Sequence, residues 1–417
     1  MPAAAAVPAA TDVLVVGAGP AGSAAAAWAA RAGHDVLLAD AAVFPRDKAC
    51  GDGLTPRAVA ELDRLGLGDW ARSRARNRGL RAAGFGRVWE LPWPGGAFPD
   101  HGSAVPRTEL DARIRACALA AGARPLEGAR AVDVERDGER VTGVVFETAG
   151  EEAVTVGCRR LVVADGVRSP LGRVLGREWH RDTAYGVAAR GYARSGRADD
   201  EWISSHLELR GAEGELLSGY GWVFPLGAGA GKVNIGVGTL ATARRPAGVA
   251  LKSLLEVYAD ARREDWRLQG PVEAPASALL PMGGAVSGVA GRNWALVGDA
   301  AGCVNPLNGE GIDYGLETGR TVVDLFGADD WSQAWPATLR EHYGEAFSVA
   351  RRLAGLLTVP RFLPAAGPVG MRSRALMTVA LRVMGNLVTD EDRDVVARAW
   401  RTAGRLSRRF DDRPLFA

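Results

Sequence analysis

Val13-Leu14-Val15-Val16 runs directly into Gly17-Ala18-Gly19-Pro20-Ala21-Gly22, and this join decides the fold. The short β-branched apolar run reads as a strand buried on both faces of a parallel sheet. The Ala-rich segment that follows, to about Ala32, reads as helix, and Gly33 ends it. Val36-Leu37-Leu38-Ala39 then gives a second buried strand that stops at Asp40. In this GxGxxG turn, Gly17 permits the tight bend and Gly19 lets backbone approach a pyrophosphate, while Gly22 lets helix pack on strand. The phosphates would meet unpaired N–H groups at the helix N-terminus. Asp40, 18 residues past Gly22, is placed to accept hydrogen bonds from ribose hydroxyls. Val13 to Ala30 is uncharged for 18 residues. The strand, glycine turn and helix explain that run better than a membrane span does. The unit binds an ADP moiety and does not by itself choose between NAD and FAD.

Two later segments bear on that choice. Arg160-Leu161-Val162-Val163-Ala164 is a strand that enters Asp165-Gly166-Val167-Arg168-Ser169-Pro170. Trp294-Ala295-Leu296-Val297 likewise enters Gly298-Asp299-Ala300-Ala301-Gly302, followed by Asn308-Gly309-Glu310-Gly311-Ile312. Both loops are expected at the carboxyl edge of the same sheet, where open α/β sheets bind ligands. Gly311 and Ile312 open a helix through Arg320, offering N–H groups to a flavin. Asp165 marks one loop of the cofactor site, and Asp299 would hold a ribityl hydroxyl.

Composition narrows the rest. The balance of 51 Lys+Arg against 49 Asp+Glu is 51 − 49 = +2, too even for a nucleic-acid surface. Cys50, Cys117, Cys158 and Cys303 form no CxxC pair, so neither a disulfide framework nor a zinc site is expected. The five histidines show no ligand spacing, and no metal is implied. Met1 to Thr11 lacks the basic residue of a signal peptide, which points to the cytoplasm. Only Lys48, Lys232 and Lys252 are lysines. Lys48 lies next to the Cys50 loop, where a cation would suit a pyrophosphate or the phosphate of a hydride donor.

The ordered set GxGxxG, ADGxxSP and GDAAGxxxPxxGEGI resembles the FAD-dependent hydroxylase and reductase superfamily of the para-hydroxybenzoate hydroxylase type. Phe44-Pro45-Arg46-Asp47-Lys48-Ala49-Cys50-Gly51-Asp52-Gly53 and Gly219-Tyr220-Gly221-Trp222-Val223-Phe224-Pro225 are similar, more narrowly, to the geranylgeranyl reductase family. The resemblance implies a Rossmann-type α/β FAD-binding domain, a mostly antiparallel sheet covering the substrate, and a C-terminal helical region. It implies FAD contacts at Ala21, Asp40, Arg107, Ala131, Asp299, Gly311 and Ile312, and places Ala49, Cys50 and Gly51 over the isoalloxazine. Asp40 departs from the Glu more usual at its position. By the same resemblance the activity is saturation of C=C bonds in a prenyl chain. The chain would be that of geranylgeranyl diphosphate, a geranylgeranylated lipid or a menaquinone. Hydride would come from reduced flavin, with NAD(P)H or another external reductant reloading it.

The strand pattern from about Asp182 to Ala274, namely Ala184–Ala193, Trp202–Leu209, Gly219–Pro225 and Val233–Leu240, predicts the antiparallel sheet. This divides the chain into an FAD domain (12–181 and 275–342), a substrate domain (182–274) and a helical tail (343–417). Leu80 to Val105 is expected to add edge strands near the same pocket. Tyr220 and Trp222 share one strand face, and with Phe224 they suit a flat apolar slot for a prenyl chain or, equally, plain core. Cys50, Tyr220 and Trp222 are the catalytic candidates, Cys50 positioning substrate or tuning the flavin rather than acting as nucleophile. Pro360, Pro364 and Pro368 are expected to break the tail, which leaves no span of about 20 apolar residues. Its arginines and apolar side chains would either cap the cavity or rest peripherally on an anionic bilayer. The competing readings are a flavin monooxygenase of an aromatic or polyketide substrate, a flavin halogenase, and a non-catalytic flavin carrier. The halogenase motif WxWxIP is only partly echoed by YGWVFP.

Overall fold

The computed structural model describes residues 7–148 and 153–417, so Met1–Ala6 of the N-terminal stretch lie outside the described residues. Strand β1 (Ala10–Val16), helix α1 (Pro20–Arg31) and strand β2 (Val36–Asp40) form the expected unit. Val13, Leu14 and Val15 are fully buried, as are Ala25, Ala26 and Ala27 of α1. Small helix residues let α1 lie close on the strands, and each buried Val or Leu contributes about 1.5–3 kcal/mol.

This unit belongs to a seven-stranded sheet. Arg124–Glu127, β2, β1 and Val154–Val163 run parallel in that order. Val154–Val163 is longer than the five residues expected from sequence and changes partner along its length. Its first half pairs antiparallel with Arg140–Glu147, and its last three residues pair parallel with Trp294–Leu296. The loops after β1, Val154–Val163 and Trp294–Leu296 therefore emerge at one sheet edge, where parallel strands end together.

A second seven-stranded sheet faces them. Its order is Leu268–Leu280, Tyr185–Ser195, Lys232–Ala241, Gly219–Pro225, Trp202–His206, Gly79–Gly84 and Arg87–Pro92. All neighbours are antiparallel except Trp202–His206 with Gly79–Gly84. The substrate sheet thus recruits residues 79–92 and continues to Leu280, six residues past the boundary expected at Ala274. The period of two sorts its faces. Val233, Ile235 and Val237 pack with Leu254, Leu255 and Tyr258 of the helix Leu251–Arg262. Asn234, Gly236 and Gly238 face the other way, under Trp222.

The helical tail begins with Ala334–Leu357, nine residues before the expected start at Tyr343, because Trp335 and Leu339 extend the first core. The helices Phe362–Gly370, Arg374–Met384 and Val395–Arg408 follow. Of the three prolines, only Pro360 lies in a break. Pro364 sits in the first turn, where its missing N–H has no intrahelical partner to lose, and Pro368 lies in the last turn of a short helix. Among the described residues no helix is long and apolar enough to cross a membrane.

Candidate functional site

A cavity of about 480 Å³ lies between the two sheets and reaches the helical tail. At one end is the glycine turn. Gly17 has φ +102°, and a Cβ there would strike the Ala164 carbonyl at 2.3 Å; a Cβ on Gly22 would strike the Gly17 carbonyl at 1.8 Å. Both are therefore packing glycines, needed for the bend and for the seating of α1. Gly19 and Ala21 line the cavity itself. An added Gly19 Cβ would lie 3.4 Å from the Arg46 guanidinium and 4.0 Å from that of Arg107. Two guanidiniums over an open glycine backbone at a helix N-terminus suit a pyrophosphate. Arg107 is held by a bidentate bond to fully buried Asp111, at 2.7 Å on both arms, and Arg46 lies 3.0 Å from the same carboxylate.

The middle of the cavity is walled by Ala49, Cys50 and Gly51 on one side, by Asp299, Gly311 and Ile312 on another, and by Tyr220, Trp222 and Phe224 on a third. The three aromatics form a row, with ring centroids 5.9 and 6.2 Å apart. The Cys50 loop packs onto that row: a Cβ on Gly51 would come within 3.3 Å of both Trp222 and Phe224. Burial pushes the Cys50 thiol pKa up, so sulfur stays protonated and is unsuited to nucleophilic attack. Tyr220 donates to the Asn308 carbonyl. Lys48 bonds Asp299 at 3.2 Å, joining the Cys50 loop to the Gly298–Ala301 turn. Lys48 therefore faces the middle of the cavity rather than the glycine turn.

Three expected cofactor residues stand outside the cavity wall. Asp165 is turned into its own loop, where its two oxygens accept from Ser169 Oγ at 2.5 Å and Leu171 N at 2.9 Å; it shapes the loop instead of facing a ligand. Ala131 is packed into the first core, 6% exposed, in the strand Arg130–Asp137. Asp40 accepts from the backbone of Ala18 at 2.7 Å and of Ala42 at 2.8 Å, so it braces the glycine turn.

Several residues in and behind the cavity wall carry no sequence signal of their own. Asn234 donates to the Cys50 carbonyl and to Asp52, both at 2.9 Å, while accepting from Trp222. Tyr192 donates to the same Asp52 oxygen at 2.8 Å. Arg190, 2% exposed, reaches Asp47 at 2.6 Å and the Lys48 carbonyl at 2.9 Å. Side chains from two neighbouring strands thus suspend the whole loop from the second sheet. Only Asp52 could have been suspected, since it lies inside the quoted loop. Burial raises its carboxyl to about pKa 6.

Beyond the aromatic row the lining is apolar: Leu80, Leu91, Ile203, Leu207, Leu363, Met377, Leu381 and Met384. His206 lies behind this wall, bonded to Tyr258 and pushed down to about pKa 3 by burial, a neutral core imidazole. Among the described residues no cluster of metal-ligating side chains occurs.

Comparison with known proteins places this geometry. A family model described as FAD binding domain matches residues 10–190. A menaquinone reductase of Mycolicibacterium smegmatis is 65% identical over 97% of this chain and 99% of its own. A digeranylgeranylglycerophospholipid reductase of Methanopyrus kandleri is 32% identical over 83% of this chain and 90% of its own. The chain belongs to the geranylgeranyl reductase family. The crystal structure of a geranylgeranyl bacteriochlorophyll reductase-like protein from Thermoplasma acidophilum superposes with a TM-score of 0.75. It covers 95% of this chain and 100% of its own at 22% identity, which establishes a shared fold. As a member of the geranylgeranyl reductase family the protein is an FAD-dependent reductase. The open Gly19 backbone beneath Arg46 and Arg107 fits that cofactor's diphosphate.

Proposed function

We propose that the protein saturates a C=C bond in the prenyl side chain of menaquinone. The carrying observation is one continuous cavity whose two ends differ in chemistry. Glycine backbone and guanidiniums at one end suit a dinucleotide, and leucine and methionine side chains at the other suit an isoprenoid chain. The close relative named for menaquinone favours that substrate over a free prenyl diphosphate.

Gly19, Ala21, Arg46 and Arg107 would hold the diphosphate, and Gly311 and Ile312 would offer the N–H groups of their helix to the flavin ring. FAD, once reduced, supplies hydride chemistry. An isolated alkene has no electron sink, so the protein must supply orientation and exclude water. Trp222 and Phe224 give the reacting carbon a flat apolar wall, and Trp222 is fixed in place by Asn234. Cys50, as a neutral thiol in the loop packed against these rings, adds to the wall without adding charge.

The helix Phe362–Gly370 bears no charged residue and has none of its residues buried. Arg361, Arg372 and Arg374 flank it, and Leu363 lines the apolar end of the cavity. We infer that this helix rests in the surface of an anionic bilayer, apolar side chains down and arginines at the headgroups. A membrane-borne substrate would then enter where the cavity is apolar.

The test is anaerobic. Holoprotein reduced with dithionite and mixed with menaquinone should yield product heavier by two hydrogens, or a multiple, with reoxidation of the flavin. Menaquinone left unreduced there, with gain of one oxygen and every alkene intact once air is admitted, would overturn the reading.

A further inference from the structure

Saturating an alkene consumes a hydride and a proton, and the cavity holds several groups that carry protons. Resting on the prenyl-reductase reading, we propose that Glu310 is the acid that protonates the alkene carbon which hydride does not reach.

The other groups in the wall are unsuited. Arg107 and Arg190 do not release protons, and Lys48 is bonded to Asp299. Asp52 also lines the cavity and has an unpartnered Oδ1, but its Oδ2 is held by Asn234 and Tyr192, and Arg190 and Arg107 stabilise its charged form. The Tyr220 hydroxyl points its proton at the Asn308 carbonyl, and the Cys50 thiol is made a weaker acid by burial.

Glu310 stands beside carboxylates, where Asp52 stands beside guanidiniums. It lines the cavity, and its Oε1 is buried without a hydrogen-bond partner. Its backbone is pinned on both sides: its carbonyl accepts from Asn305 N and its N–H donates to Asn308 Oδ1, both at 2.8 Å. The side chain therefore stands on a fixed base. Its charged form would act on Cys50 from the loop and on Tyr220 from the second sheet. Desolvation, then the neighbouring Asp313 and Asp299, push the carboxyl well above the usual range against the opposing backbone N–H groups of Asp313 and Ile312, which favours the protonated form that a donor needs. Asp313, itself raised by burial to about pKa 6, is countered by Arg57. Two adjacent buried acids tend to share one proton, and the one facing the cavity is Glu310.

The step balances. The π bond breaks and two C–H bonds form, one from hydride supplied by the reduced cofactor and one from the Glu310 proton. The cofactor is oxidised by two electrons, and Glu310 is left as a carboxylate beside Asp313. That repulsion favours recapture of a proton from water.

The experiment compares wild type, E310Q and E310D as FAD holoproteins. In E310Q, dithionite should reduce the flavin as in wild type, while reoxidation by menaquinone slows by about 10²–10⁴-fold, and E310D recovers part of the loss. The wild-type rate should fall at alkaline pH, a limb that E310Q lacks. The infrared band of a protonated carboxylic acid, shifted in deuterium oxide, should disappear in E310Q without any turnover. An E310Q rate within threefold of wild type, an unchanged infrared band, or loss of FAD from E310Q would each overturn the assignment. Failure of wild type itself to reduce menaquinone would instead remove the functional reading, and this proposal with it.

Discussion

The indole N–H of Trp222 donates to Asn234 Oδ1 at 2.9 Å, and the amide of Asn234 passes on to the Cys50 carbonyl and to Asp52. One side chain thereby fixes both the aromatic wall and the loop packed against it. Replacing Asn234 by Leu strands the indole N–H and the Cys50 carbonyl and leaves Asp52 with only Tyr192. The expected cost is about 2–4 kcal/mol in urea unfolding, at about 1–3 kcal/mol per buried unpaired group. A loss below about 1 kcal/mol would show the network to be slack.

Asp52 makes stability depend on pH in a definite direction. Its folded pKa of about 6 stands above the ordinary aspartate value of 3.8, so the folded state binds the proton more tightly than the unfolded chain. The favourable contribution is complete below the unfolded value and is lost as pH rises through 6. Over 6 − 3.8 = 2.2 units the change is about 3 kcal/mol. The stability of wild type relative to D52N should fall by that order between pH 3.5 and 7, measured by denaturant titration. A difference that stays flat with pH would contradict the assignment.

Cys50→Ala removes a neutral thiol from the cavity wall and leaves the glycine turn and both guanidiniums alone. FAD should remain bound, and turnover should drop roughly tenfold to a hundredfold, about 1.4–2.7 kcal/mol of transition-state stabilisation. Release of FAD on dilution would assign the residue to cofactor retention instead.

Gly236 leaves room for Trp222: a Cβ there would sit 2.0 Å from the indole ring. Gly236→Ala must push the ring into the cavity and off Asn234. Overpacking of this kind costs about 1–3 kcal/mol, and the variant should raise the KM for the prenyl substrate more than it weakens FAD. An unchanged KM would show that the ring does not border the substrate.

Val369 is 62% exposed and Leu376 49% exposed at the apolar end of the molecule. Val369→Glu with Leu376→Glu should reduce cosedimentation with vesicles containing anionic phospholipid by tenfold or more. Activity on detergent-dispersed menaquinone should be preserved. Equal sedimentation of variant and wild type would rule out this face as the contact.

Residues close in sequence made much of the fold legible. The strand ending in Gly17-Ala18-Gly19, the helix it opens, and the later loops at Asp165 and Asp299 each announce themselves, because a turn that needs positive φ and a strand buried on both faces leave local signatures. Tyr220 and Trp222 could be assigned to one face from the period of two alone. Other features had no such signature. Asp165 carries the spacing of a ligand residue, yet its side chain satisfies its own loop. Gly79–Pro92 joins a sheet whose other strands begin only at Tyr185, 185 − 92 = 93 residues past Pro92. Pro364 and Pro368 looked like helix breaks until their places in the first and last turns were known.

The sequence by itself determined that a glycine turn joins a buried strand to a helix, that two later strand-to-loop turns follow at one sheet edge, and that no tail helix among the described residues is long and apolar enough to cross a membrane. Those properties depend on neighbours a few residues apart. Tertiary structure alone decided that Asn234 ties Trp222 to Cys50, that Lys48 meets Asp299 across 251 positions, and that Glu310 faces the cavity with an unpartnered oxygen. These contacts depend on strand register and on how two sheets close over one space, and a register shift of one residue would turn Trp222 and Asn234 to the opposite face of their sheet.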